Sequence, residues 1–409
     1  MADTPPARDD ASREPQDGRP RLSPRRILAT VWLAVFSTSL FFRAVDPIIP
    51  QIAADLGEPI GSVALLATAF ALPYALMQPA LGALADMVGK TRMMFACLLI
   101  VTFATFAGAI APNLTLLMIS RAISGIVAGG TFPISLALIA QVVPMEQRQV
   151  AVSRVLAGAM LGNLMGSAAS GIVADAFGWR SVFIVNGISA LAALIAAFIG
   201  FGGPGRKPPD RVDLRSLPAT YKAMFRHPMA KFCFGGVAME GIFLFGFFPY
   251  VAPLLQQSGN DRAAIAGIVI GCFGIGGMFY SFLIGSLLPR LGARWLMIVG
   301  GSGMGLGLMV MTLQLSWQAQ AVVFGIFGLS FYLLHGVIQI QVTELVPEAR
   351  STATAVHSTF FFFGQSIGPI YYRYAFEEAG MTAPLIVGGC LLIATGIIAS
   401  TGLFRQRPR

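Results

Sequence analysis

Long apolar runs alternate with short polar breaks along almost the whole chain. About twelve such runs can be drawn, at 27–49, 62–84, 93–111, 115–140, 153–174, 181–202, 229–255, 264–288, 295–315, 318–343, 351–373 and 383–404. Each is near the roughly 20 residues that a helix needs to cross a bilayer. The runs are continuously apolar and do not alternate with period two, which predicts spanning helices and not a barrel. The predicted class is an all-α integral membrane protein with twelve spans.

Composition agrees with that reading. Hydrophobic residues make up 56% of the 409 residues, charged residues 11%, and the mean hydropathy is +0.73. A soluble fold of this length cannot hide so much apolar surface, whereas a bilayer removes the need. The formal charge of +9 is spread in a topological pattern. Arg19, Arg21, Arg25 and Arg26 precede the first run, and further bases gather at Lys90 and Arg92, Arg148 and Arg154, Arg206 to Lys231, Arg290 and Arg294, Arg350, and Arg405 to Arg409. The alternate connections hold acids or mixed charges, such as Asp55 and Glu58, Asp175 and Arg180, Asp261 and Arg262, and Glu377 and Glu378. Basic loops stay in the cytoplasm, so both termini are expected there, with an even number of spans. Arginine outnumbers lysine and alanine is abundant, which points to a GC-rich bacterium and so to its inner membrane. No basic patch is interleaved with exposed aromatics, so nucleic acid is not an expected partner. Cys97, Cys233, Cys272 and Cys390 lie singly in apolar runs, so neither a metal site nor a disulfide framework is expected. No cofactor is expected either, and the absence of a GxxxxGK[ST] loop argues against ATP-driven action.

The chain contains a repeat. Gly82, Gly89 and Gly125 return as Gly285, Gly292 and Gly328, and Pro50 as Pro253, each about 203 residues later. The predicted organisation is a tail at 1–26, a six-helix bundle at 27–202, a linker at 203–228, a second bundle at 229–404 and a short tail at 405–409. Two parallel six-helix repeats about an axis normal to the membrane form a transporter architecture.

Gly82-Ala-Leu-Ala-Asp86-Met-Val-Gly89-Lys90-Thr-Arg92 follows the second run. It resembles the signature loop of the major facilitator superfamily. Gly89 suits a left-handed turn, and Lys90 and Arg92 hold the loop inside. By that resemblance the aspartate meets the N-terminal end of a helix in the other half, where the dipole favours an acid. Asp86 would thus latch the halves in the outward-open state. In the second copy Pro289 replaces the acid, so the latch is expected on one side only. Arg121-Ala-Ile-Ser-Gly125 resembles the family's second motif. Gly158-Ala-Met-Leu-Gly162-Asn163-Leu-Met-Gly166 resembles the glycine-rich motif of its antiporters, with Asn163 where proline is usual. Small residues four apart also allow close helix packing.

Charged and titratable groups inside spans are costly and mark candidate sites. Asp46 lies near the outer end of span one, with Arg43 at i−3, the spacing of an intrahelical pair. In the family, spans one and four are neighbours, so Arg121 is a second candidate partner. Glu240 falls near the middle of span seven, before an aromatic run. Low dielectric disfavours an ionised carboxylate there, which makes Glu240 a candidate proton carrier; Asp46 is the second candidate, although two neighbouring bases favour a structural or substrate-gating role for it. His335 and His357 are the two membrane histidines. Arg43, Arg121, Asn163, His335 and His357 form the candidate cavity or charge network.

The family resemblance implies a major facilitator fold, two bundles related by a pseudo-two-fold axis, and proton-coupled efflux of a small amphipathic compound by alternating access. The competing reading is import or exchange of a small metabolite, anions included. A membrane scaffold or sensor is a third. No clustered catalytic set occurs at one face, so an enzyme is not expected. The expected partners are a small-molecule substrate, protons and lipids, and the expected state is a monomer.

Overall fold

A computed structural model describes residues 24–203 and 217–404. The expected cytoplasmic tails at 1–23 and 405–409, and the linker residues 204–216, lie outside the described residues. Every regular element described is helical, as lipid demands of spanning backbone. The first half holds α1 (Pro24–Leu40), α2 (Ile49–Leu56), α3 (Ile60–Val88), α4 (Lys90–Ala109), α5 (Leu114–Val142), α6 (Met145–Phe177) and α7 (Trp179–Phe201). The second holds α9 (Ala230–Met239), α10 (Val251–Gln257), α11 (Ala263–Val310), α12 (Trp317–Thr343), α13 (Arg350–Ala379) and α14 (Thr382–Phe404). Between the halves, α8 (Leu217–Arg226) is helical within what the sequence reads as linker.

α11 contains two spans. They meet at Gly292, whose φ of 74° and ψ of 157° no helix accommodates. Its repeat mate Gly89 has φ 106°. Both positions turn the chain through a conformation that costs glycine little, so the loop resemblance has a matching backbone in each half.

Among the described residues, nine stretches are long and apolar enough to cross a membrane. One of them, Ala263–Leu313, is 51 residues long and covers two spans. Two further spans fall short for visible reasons. Along α13 lie His357, Gln365 and Arg373. Span one is interrupted: α1 stops at Leu40, a short 3₁₀ turn covers Asp46–Ile48, and α2 follows. Here the structure differs from the continuous helix that the apolar run predicts. Pro47 and Pro50 lack the N–H that a helix needs, and each restricts the residue before it.

Span seven is irregular at the equivalent place. After α9 the chain runs as a π-helical stretch Glu240–Leu244 and a 3₁₀ stretch Phe245–Tyr250 before α10 resumes. The two irregular segments are related by the repeat step: Pro253 sits one step from Pro50, and Pro249 one residue short of the step from Pro47. Paired broken helices at corresponding positions of two halves are where transporter folds place their sites.

The face carrying Pro24 and the α3–α4 turn is called the near face below, and the one carrying the α2–α3 and α6–α7 turns the far face. One apolar core is continuous between halves at the far face. It joins Ala44 to Ala53, Val63 to Leu66, Ala109 to Leu117 and Ala174 to Phe183 with the core of the second half. The near end of the first half forms a separate core from Ile27 to Phe41, Phe70 to Ala85 and Val127 to Val155. The halves therefore meet at the far face and part toward the near one.

Candidate functional site

The site is built where the two broken spans face each other, in three tiers stacked across the membrane. The middle tier is aromatic. Phe245 lies 5.0 Å from Phe331 and 5.1 Å from Phe361, and Phe361 lies 5.7 Å from Phe331. From the first half, Phe42 and Tyr74 reach Phe362 at 5.2 and 4.5 Å. Phe245 meets Phe331 and Phe361 edge-on, and Tyr74 meets Phe362 likewise, a geometry that aromatic pairs favour.

On the near side of that layer, one helical turn away along each helix, sit Glu240, His335 and His357. Glu240 opens the π-helical stretch and is fully buried. Its Oε2 lies 2.7 Å from His335 Nδ1. The other oxygen has no hydrogen-bond partner among the described residues. The His335 ring stacks on Phe331 at 4.5 Å and lies 4.8 Å from the ring of buried His357. The Nε2 atom of His357 is also unpartnered there. Glu240 and His335 are 95 residues apart in sequence, so the sequence alone offers no way to join them. No base lies close to Glu240 in sequence, and the fold supplies an imidazole from another helix.

On the far side sits Arg43. It lies in the break of span one, and its Nη1 donates to Asp46 Oδ2 at 3.2 Å. The i,i+3 pair thus forms as predicted, although on a turn and not on a helix. Its Nη2 donates to Gln365 Oε1 of α13 at 3.0 Å, across the two halves. Its guanidinium also lies over the rings of Phe245 and Phe248, at 4.8 and 4.5 Å. Gln365, Phe245 and Phe248 belong to this site, and the sequence reading does not pick them out as such. The one signal for Gln365 is an amide two residues after the aromatic run Phe360 to Phe363.

Arg121 comes near this tier without pairing with Asp46. Its Nη1 donates to the carbonyl of Phe41 at 3.0 Å, a group freed by the break in span one. Its guanidinium lies 4.4 Å over the ring of Phe70. Nε and Nη2 have no partner among the described residues, although the side chain is buried. Asn163 is not brought into the network: its amide bonds the Ala159 carbonyl one turn back at 3.2 Å. Gly158 and Gly166 let α6 approach α1, since a methyl would meet Trp32 and the Leu40 carbonyl respectively. At Gly162 the obstacle is the Phe36 carbonyl at 2.5 Å.

In the near-face loop, Asp86 pairs with Lys90 at 3.0 Å inside its own turn, while Gly82 lies within α3 and Arg92 in the first turn of α4. At the far face Asp55 accepts from Arg180, and from Trp179 at 3.2 Å. Those two hydrogen bonds hold the exposed Asp55 carboxyl below its usual range. Among the described residues no group of three or more His, Cys, Asp or Glu side chains is placed to hold a metal.

Broken paired spans at corresponding places of the two halves, with a central aromatic layer and buried polar groups on either side of it, are the arrangement of a transporter fold. The sequence profile of the Major Facilitator Superfamily matches residues 31–369 and 242–409. The chain belongs to that family. It is 24% identical over 383 residues to an MFS-type transporter, YfhI, of Bacillus subtilis, covering 92% of this chain and 93% of that one. A probable sugar efflux transporter of Mannheimia succiniciproducens is 24% identical over 368 residues, 90% of each chain. A homolog of the multi-drug resistance efflux pump PmrA in Lactococcus lactis is 27% identical over 287 residues, 68% of this chain and 69% of that one. Among solved structures, a peptide transporter POT in complex with sulfate superposes with a TM-score of 0.76 at 16% identity, covering 94% of this chain and 95% of that one. A bacterial homolog of the human lysosomal transporter Spinster, inward-facing and unoccupied, gives 0.71 at 15% identity, covering 94% and 98%. These two likenesses concern the fold.

Proposed function

We propose that this protein exports a small amphipathic compound in exchange for protons, with its near face in the cytoplasm of a bacterial inner membrane. The observation that carries the reading is the buried Glu240–His335 contact of 2.7 Å beside His357. A carboxyl and an imidazole in contact can hold one proton between them and accept or release another. An antiporter needs such a group on the solvent side of a gate. The aromatic layer lies on the far side of the pair, and the halves part on its near side. The state described is therefore inward-facing in this reading, and it would discharge its proton to the cytoplasm and receive substrate. Outward-facing, the same pair would be reloaded from outside. The basic near-face loops support that orientation. The relatives described as efflux transporters support the direction.

The test uses protein in liposomes with an imposed pH gradient and a pH dye inside. Lipophilic dyes and simple sugars, the two chemistries suggested by the relatives, are offered in turn. Proton movement evoked by one of them, in the direction opposite to that compound, is expected. Glu240→Gln should bind the same compound yet fail to accumulate it, because the amide keeps the shape and cannot titrate. A Glu240→Gln protein that still builds a gradient would overturn the assignment.

One observation favours a second reading, transport of an anionic metabolite. The two free nitrogens of Arg121, Nε and Nη2, are the parallel pair that grips a carboxylate side-on. Near it, Asp46 is already engaged by Arg43. Benzoate and benzamide separate the readings: stabilisation by the acid alone, lost in Arg121→Gln, would favour the anion.

A further inference from the structure

We propose that Asp175 is the latch that holds the far face shut, and that it works in opposite phase to Asp86. The proposal rests on the alternating-access reading and needs neither proton coupling nor a substrate.

Asp175 is in the last turn of α6, in the first half. Its Oδ1 accepts the backbone N–H of Ala263 at 2.8 Å and its Oδ2 that of Ala264 at 3.1 Å. These are the first two residues of α11, in the second half. Arg262 adds a longer contact from Nε, at 3.4 Å. The first N–H groups of any helix lack partners within it, and they form the positive end of its dipole. The N-cap of α11 is Arg262, which offers no side-chain bond of its own. The helix is therefore capped in trans, by a carboxylate from the other half. The exposure of the Asp175 side chain is only 19%, against 69% for Arg262, so the cap is tucked in while the ion pair is at the rim.

The helix backbones touch at the same place. A methyl at Gly171 of α6 would run into the Ala263 carbonyl, and one at Gly267 of α11 would come within 2.5 Å of the Ser167 carbonyl. Asp175 can reach Ala263 and Ala264 only while these two helices are seated. Opening the far face would separate them, and the cap would be lost to water. That makes the bond specific to one state, which is the requirement for shifting a two-state equilibrium.

Two comparisons inside the molecule sharpen the assignment. Asp86 is the acid that family resemblance places against a helix start at the near face. In this far-closed state it pairs with Lys90 inside its own turn. Among the described residues, no carboxylate cap on the corresponding helix start is seen in the second half. About one repeat step of 203 residues beyond Asp175 lies Glu378, and the corresponding helix start is that of α3. There Pro59 occupies the N-cap, and Gly61 is met by Arg373 and Glu377, which pair with each other at 3.7 Å. Among the described residues the far-face cap, like the acid of the near-face loop, is carried by the first half.

The experiment measures the far-face distance directly. Spin labels are placed at the exposed positions Ile172→Cys on α6 and Ile268→Cys on α11, with Cys272 and Cys390 replaced by alanine. The full chain is studied in nanodiscs at fixed pH without substrate. The parent protein should show mostly the short distance. Asp175→Ala should shift the ratio of closed to open by about tenfold, the size expected for a lost N-cap. Asp175→Asn, which keeps a neutral cap, should shift it less and serves if the alanine protein folds poorly. Arg262→Ala should change it little, because the backbone donors carry the bond. Asp86→Ala should move the ratio toward closed. An unchanged distribution in both Asp175 variants, or an equal shift in Arg262→Ala, overturns the proposal. Glu240→Gln provides the separation: if it abolishes coupling but leaves the distances intact, the latch stands apart from the proton assignment.

Discussion

Glu240, Arg43 and Arg121 show how the same membrane cost is met in different ways. Each is buried where an uncompensated charge is expensive. Glu240 meets it with an imidazole, Arg43 with a carboxylate, an amide and two aromatic faces. Arg121 meets it in part, with one carbonyl and one ring. A first prediction follows from the Arg43–Asp46 contact. Removing either partner strands the other in low dielectric, at a cost of roughly 3 kcal/mol or more. A double-mutant cycle on thermal stability should give a coupling above about 0.5 kcal/mol for Arg43 with Asp46. The same cycle for Arg121 with Asp46 should give a smaller value, since no hydrogen bond joins them, and a larger one would reverse the pairing. A second concerns His335. His335→Gln should impair proton-driven transport as Glu240→Gln does, and the double variant should be no worse than either alone, because the two act as one unit. Additive losses in flux measurements would separate them.

Among the elements, helix packing decides more than helix propensity. At Gly125 a methyl would strike the backbone of Phe70 on α3, and no side chain is there to yield. Gly125→Ala should therefore cost about 1–3 kcal/mol, read as a lower melting temperature. At the far face Asp55 ties α2 to α7 through Arg180 and Trp179. The carboxyl is held below its usual range, so its contribution is present above the unfolded value and disappears as pH falls through the lower, folded one. Acidification below about pH 4 should loosen this tie, seen as a change in Trp179 fluorescence. In Asp55→Asn that step should be missing.

For the whole molecule, the distribution of apolar cores states which face is shut. A core shared between halves at one end and divided at the other is a rigid-body arrangement that can rock. Asp86→Asn should then cut transport while leaving expression and helix content intact. It removes support from the state opposite to the one described, so the cycle is held in the far-closed form. Near-normal flux in that variant would count against the near-face latch.

Apolar run length determined the number of spans, and the repeat of glycines and prolines determined that the molecule has two halves. These are local or periodic properties, set by the thickness of the bilayer and by the need to satisfy backbone groups within each helix. The Arg43–Asp46 pair was legible for the same reason, because three residues of separation keep two side chains together on either a helix or a turn. The breaks in spans one and seven were present in the sequence only as prolines, whose effect depends on what surrounds them. Tertiary structure alone joined Glu240 to His335, Arg43 to Gln365, and Asp175 to the start of α11. Each of those contacts lies between helices distant in sequence, and α6 meets α11 by packing of the halves. No period or spacing encodes such a meeting. It arises from which helix faces fit together, and here that fit places one buried acid beside an imidazole and another acid on a helix end.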